Sequence, residues 1–232
     1  MQHKPSRFPS FFMSVGAVLR KDALSELRSK YAFSTLAVFA LTCLAGISMS
    51  IGGGELTQLN PQVQSVLLWI VLFFSAMAGL GRVFVQEQDA GTLLTLKVSA
   101  PPQAVYFGKV IFNVFLLVSL SVLVLILFIV FFDVSVSDWL SLIGVLWLGS
   151  IGLSIIATMT AAMAAQAQGR ASLFTIITFP LILPEFLSAI EGTRAVLAGE
   201  AVELTQFLFL GGYGVVALVA GSILFDYLWI EG

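Results

Sequence analysis

The stretch Val83-Phe-Val-Gln-Glu-Gln-Asp-Ala-Gly-Thr-Leu-Leu-Thr-Leu-Lys-Val-Ser-Ala-Pro-Pro-Gln-Ala-Val-Tyr-Phe-Gly-Lys109 separates two long apolar runs and is the densest polar patch in the middle of the chain. Its surroundings decide how it is read. The chain is 59% hydrophobic and only 10% charged, with a mean hydropathy of +1.02, which no soluble domain with a wet surface matches. A charged side chain at the centre of a membrane helix costs about 2.5–3.5 kcal/mol on insertion scales, so charges belong at the ends of spans. The nearly charge-free windows on either side of the quoted stretch therefore mark helices. Spans are expected over about 31–54, 62–82, 106–132, 138–168, 171–190 and 204–228, each close to or above the roughly 20 residues that cross about 30 Å of hydrocarbon. The expected fold is an all-α integral membrane protein, a single transmembrane domain over 1–232 with six transmembrane helices.

The fifth of these spans carries an acid, Glu185, and two prolines, Pro180 and Pro184. Proline removes a backbone donor, so the helix is expected to break near the outer surface, where water reaches the carboxylate. The segment Phe186 to Glu203 would then return along the outer leaflet, with Pro180, Pro184 and Glu185 as a candidate outer gate. The basic residues fix the sidedness. Arg20, Lys21, Arg28, Lys30, Arg82, Lys97, Lys109 and Arg170 fall on one side, and Arg194 alone faces Glu55, Asp133, Asp138, Glu191, Glu200 and Glu203 on the other. By the positive-inside rule both termini are cytoplasmic. Residues 10–30 read as an amphipathic helix lying on the inner leaflet, with Phe12, Val15, Leu19, Ala23 and Leu27 on one face and Lys21, Asp22, Ser25, Arg28 and Ser29 largely away from it.

Little catalytic chemistry is visible. The one histidine, His3, is near the N-terminus, which excludes histidine ligation of metal or haem iron from the membrane spans. Gly108-Lys109 is followed by Val110 and lacks the upstream glycine of a phosphate-binding loop, so ATP is not bound that way. Cys43 is the single cysteine and forms no internal disulfide; in span four, Gly149, Ser150, Ser154, Ala157, Ala161 and Ala165 have the spacing that permits close helix contact. That stripe suits either packing within the chain or a seam with a second copy.

The quoted stretch, taken as a loop over 83–105, exceeds an ordinary helix connection and calls for a role. Within it Gly91 to Leu96 offers a short helix capped by Asp89 or Thr92, with Leu93, Leu96 and Leu94 as a small apolar face and Pro101-Pro102 closing it. Such a knob suits docking into a groove of a cytosolic partner, or resting on lipid headgroups.

The pattern Phe84-x-x-Glu87-x-x-x-Gly91-Thr92-Leu93-x-x-Leu96, then Pro101, Gly108-Lys109 and Asn113, resembles the coupling loop of exporter-class ABC transporter permeases. Leu19-Arg20-Lys21-Asp22-x-x-x-Glu26-Leu27-Arg28-Ser29-Lys30 and Phe225-Asp226-Tyr227-Leu228 resemble the haem exporter protein B family, CcmB. Pro101-Pro102-Gln103 departs from the expected single proline followed by a charge. The resemblance implies an ABC-2-like permease subunit acting in haem export or haem-chaperone release for c-type cytochrome biogenesis. It further implies no enzyme activity of its own and ATP hydrolysis by a separate CcmA-like subunit. The implied companions are a second copy of the chain, CcmC-like and CcmD-like haem-handling membrane proteins, a CcmE-like haem chaperone and membrane lipid, without nucleic acid. Coupling to the ATPase would fall on Glu87, Gly91, Thr92, Leu93, Leu96, Arg20, Lys21 and Arg28. No cofactor is expected to reside in this chain; haem would be a transported or partner-held ligand, because Met49 is the one outer-end sulfur suited to iron. A permease of the same architecture for a drug, lipid or glycan, and an intramembrane enzyme or scaffold, are the competing readings.

Overall fold

A computed structural model describes residues 11–51, 60–80, 91, 100–165 and 170–231. Among them there are seven helices and no strand: α1 (Phe11–Ser29), α2 (Tyr31–Ile51), α3 (Pro61–Leu80), α4 (Pro102–Phe132), α5 (Trp139–Ala165), α6 (Arg170–Leu197) and α7 (Leu204–Glu231). Six of these contain stretches long and apolar enough to cross a membrane, in α2 to α7. The chain is a multi-pass membrane protein.

The helix ends follow from local chemistry. Lys30 breaks the chain between α1 and α2 in the left-handed region, φ 51°. One turn earlier, Glu26 turns its carboxylate onto the free start of α2, accepting from the Ala32 and Phe33 amides at 3.2 and 2.8 Å. A negative group there meets both the unpaired donors and the positive end of the helix dipole. Asn60 caps α3 by accepting from the Gln62 amide, and Asp138 caps α5 by accepting from the amides of Leu140 and Ser141. Pro102 occupies the first position of α4, where a missing N–H costs nothing. The double proline is thus a helix start, and the third span begins four residues before its expected position, inside the stretch taken as loop.

The break expected in the fifth span is corrected. α6 continues through Pro180 and Pro184 to Leu197, and closes on a turn in which Gly199, φ 75°, lets the Glu200 amide reach the Ala195 carbonyl at 2.8 Å. No return along the outer leaflet occurs between Phe186 and Leu197. Each proline frees only the carbonyl four residues before it, at Ile176 and Pro180, and membrane helices tolerate such gaps; the Tyr213 hydroxyl of α7 ties the neighbouring Leu181 carbonyl at 2.7 Å.

α5 is the axis of the bundle, packed on α3, α4, α6 and α7. It runs antiparallel to α6 in a fixed register. Val145 meets Gly192, Gly149 meets Ala189 and the Trp69 ring, Gly152 meets Glu185, and Thr160 is 2.7 Å from Thr178. The small stripe of span four is used here: Ser150, Ser154, Ala157 and Ala161 are buried within the chain. It packs inside the protomer. α2 and α7 are the least buried spans.

Candidate functional site at the start of α4

Several described residues of the resembling motifs, Asp22, Gly108, Lys109, Asn113, Phe225 and Asp226, gather around the start of α4. α1 reaches the first two turns of α4 with Ser14, Val18 and Asp22, three positions a helical turn apart. The first two are buried. Gly108 is required for that approach, since a Cβ there would come within 2.8 Å of Val18. Beside it, Lys109 Nζ lies 3.3 Å from Asp22 Oδ2, with the two side chains only 2% and 11% exposed. Lys21 reaches the other oxygen of Asp22 at 3.3 Å from the exposed side. Phe11 meets Phe107 edge-on at 6.1 Å.

The other flank of the same two turns is held by α7. Gln103 donates to Asp226 at 2.7 Å. The Tyr106 ring lies 5.5 Å from Phe225, whose ring meets Trp229 at 4.9 Å, tilted by 31°. The Tyr106 hydroxyl sits where a side chain at Gly221 would be. One level deeper, Asn113 donates to Thr158 of α5 at 2.8 Å, tying α4 to the axis. Asp22, Gly108, Lys109, Asn113, Phe225 and Asp226 are therefore parts of one junction. Two of its bonds are charged and one is desolvated, so α1, α4 and α7 are joined rather than merely adjacent.

The apolar face read in α1 is split: Val15, Leu19 and Ala23 are half-buried, while its two ends turn outward. Phe12 and Leu27 are 83% and 70% exposed, which in a membrane protein means lipid. Arg20, Lys21 and Arg28 are exposed on the same helix. Of the expected coupling segment, Gly91 is described: it is exposed, with φ +66°, a conformation that favours glycine. Glu87, Thr92, Leu93 and Leu96 lie outside the described residues. Lys109 was counted only among the basic charges that fix the sidedness; the structure buries it in α4 against Asp22. Its pairing with Asp22 escaped the sequence reading because Ser14, Val18 and Asp22 form no apolar stripe.

Pro180 is exposed and Pro184 half-buried on α6, while Glu185 is fully buried, roughly midway along the span Ile176–Leu197. Water does not reach its carboxylate in this structure, contrary to expectation. At the acidic end of the bundle, Arg194 bridges Glu191 and Glu200 at 2.8 and 2.7 Å, and Arg194 holds the Glu200 carboxyl below the usual range.

Six spans, with α1 gripping the first turns of α4, make an integral membrane helix bundle, and the family it matches makes it a permease subunit. The description CcmB protein matches residues 13–225, and the chain belongs to that family. The family is one of ABC transporter permease subunits for haem export in cytochrome c maturation, working in a complex with an ATP-binding subunit. No curated protein matches the chain.

Proposed function

We propose that this chain receives mechanical work from a CcmA-like ATP-binding subunit through residues 83–101 and the basic side of α1, and applies it to haem handling for c-type cytochromes. The observation that carries this reading is the junction at α4. The helix that follows the coupling segment is bonded at its first two turns to α1 through Lys109 and to α7 through Gln103. A push on the segment therefore moves three helices together. Glu87 and the Gly91 to Leu96 knob seat on the ATPase, and Arg20, Lys21 and Arg28 face the same partner. Positive charge on this side supports cytoplasmic termini in a bacterial inner membrane.

The outward faces of α2 and α7, the least buried spans, suit lipid and a second copy of the chain. CcmC-like and CcmD-like proteins and a CcmE-like chaperone present or accept haem, and closure of the ATPase either moves haem or releases the loaded chaperone. Both outcomes use the same junction.

The test is the double variant Glu87→Lys with Leu93→Asp in a tagged chain purified in mild detergent. It should remain in the membrane, lose the co-purifying ATP-binding subunit and stop covalent haem attachment to c-type cytochromes. Unchanged co-purification would overturn the docking assignment.

A further inference from the structure

Glu185 is 0% exposed, and among the described residues neither of its carboxyl oxygens has a hydrogen-bond partner. The protein has made room for it. Its carboxyl occupies the space that a side chain at Gly152 would fill, so the glycine on α5 is the floor of the site. α7 closes it from another side, where a Cβ at Gly214 would lie 3.6 Å from the Gly152 Cα.

None of the surrounding helices supplies a counter-charge. α3 and α5 contain no Asp, Glu, Lys, Arg or His, and α7 carries its acids, Asp226 and Glu231, at its far end. From α7, Tyr213 is close enough to interact electrostatically with Glu185, but its hydroxyl hydrogen is already given to the Leu181 carbonyl. On α6 itself Arg170 is the first residue, and Arg194 is paired with Glu191 and Glu200. An unpaired carboxylate in such surroundings is severely destabilising, and an ionisable group at this depth signals a ligand or a carrier role. The ligand that fits a space with no room for a further side chain and no second ligating acid is the smallest cation.

We propose that Glu185, between α5, α6 and α7, is a proton-binding site. The carboxylate takes one proton from water, forming an O–H bond, and is packed against Gly152 as the neutral acid. When α6 parts from α5 the bond breaks and the proton returns to water, with no electron transfer. Pro180 and Pro184 lie just before Glu185 and remove two backbone donors from α6, which makes this the compliant part of the helix. Opening of the α5–α6 seam is thereby linked to proton release, independently of what the permease handles.

The experiment is infrared difference spectroscopy of the chain purified with its companion subunits in lipid nanodiscs, wild type against Glu185→Gln. The wild type should show the carbonyl band of an un-ionised carboxylic acid at neutral pH, absent from the variant and lost reversibly at alkaline pH. Membrane-soluble dicyclohexylcarbodiimide should attach to Glu185, mapped by peptide mass, in yields that fall as pH rises. Should Glu185→Gln not fold, Glu185→Asp replaces it, and the acid band must shift. No acid band at any pH overturns the proposal, with or without stabilisation by added sodium. These readouts involve neither haem nor ATP, so a failure of the coupling reading leaves them unaffected.

Discussion

Close packing at single residues sets how much change the bundle tolerates. Gly149 is wedged between the Trp69 ring and Ala189, and Trp69 cannot swing away because its indole N–H is bonded to Thr193 at 2.8 Å. Gly149→Ala should therefore cost about 1–3 kcal/mol through overpacking, read as a lower midpoint of thermal unfolding in detergent. Gly46→Ala is the control: nothing lies within 4 Å of the new Cβ in α2, and helix propensity predicts a small gain. At the start of α5, hydrogen bonds from Ser141, and then from the Leu140 amide, hold the Asp138 carboxyl below the usual range. A depressed folded value means that this stabilisation is present above the unfolded value of about 3.9, and is lost as pH falls through the folded one. Asp138→Asn still caps α5 but does not titrate. Unfolding midpoints followed from neutral to acid pH should fall more for wild type than for Asp138→Asn.

Whole elements show where a sequence reading of a membrane chain succeeds and where it inverts. The spans were legible because charge is excluded from hydrocarbon, and that rule does not depend on packing details. The docking face of α1 was not, because lipid makes exposed apolar residues comfortable and leaves Ser14, Val18 and Asp22 to face protein. α6 was misread at Pro180 and Pro184, since two missing donors do not end a helix whose remaining bonds continue through them, as membrane helices tolerate. Glu185 was placed near water for the same reason. The grip of α1 on α4 gives the sharpest test at this scale. Lys109→Met leaves Asp22 with only the half-exposed Lys21, at a cost on the order of 3 kcal/mol. Adding Asp22→Leu removes the orphaned charge and should recover most of that stability. Chemical unfolding of both single variants and the double variant measures the coupling; a double loss equal to the sum of the two single losses would show that Lys109 and Asp22 act independently. If the junction transmits motion, the double variant stays folded yet loses cytochrome maturation.

The whole molecule is an asymmetric object. One end carries Arg20, Lys21, Arg28 and the α4 junction, and the other carries Asp133, Asp138, Glu200 and Glu203 around the single arginine, Arg194. Six crossings return the chain to the side from which it started, so the junction and the outer acids must lie on opposite sides of the membrane. Which side is which follows from the bias in lysine and arginine, and the proposed ATPase contact requires the basic end to be inside. In a Cys43→Ser background, with no other cysteine in the chain, Ser135→Cys between α4 and α5 and Ser29→Cys at the end of α1 report the two ends; both positions are exposed. A membrane-impermeant maleimide should label Ser135→Cys in intact spheroplasts and Ser29→Cys only after lysis. Labelling of both from outside would break the six-crossing topology. The reverse pattern would keep the topology and turn the α4 junction away from ATP, leaving the coupling reading with no source of work.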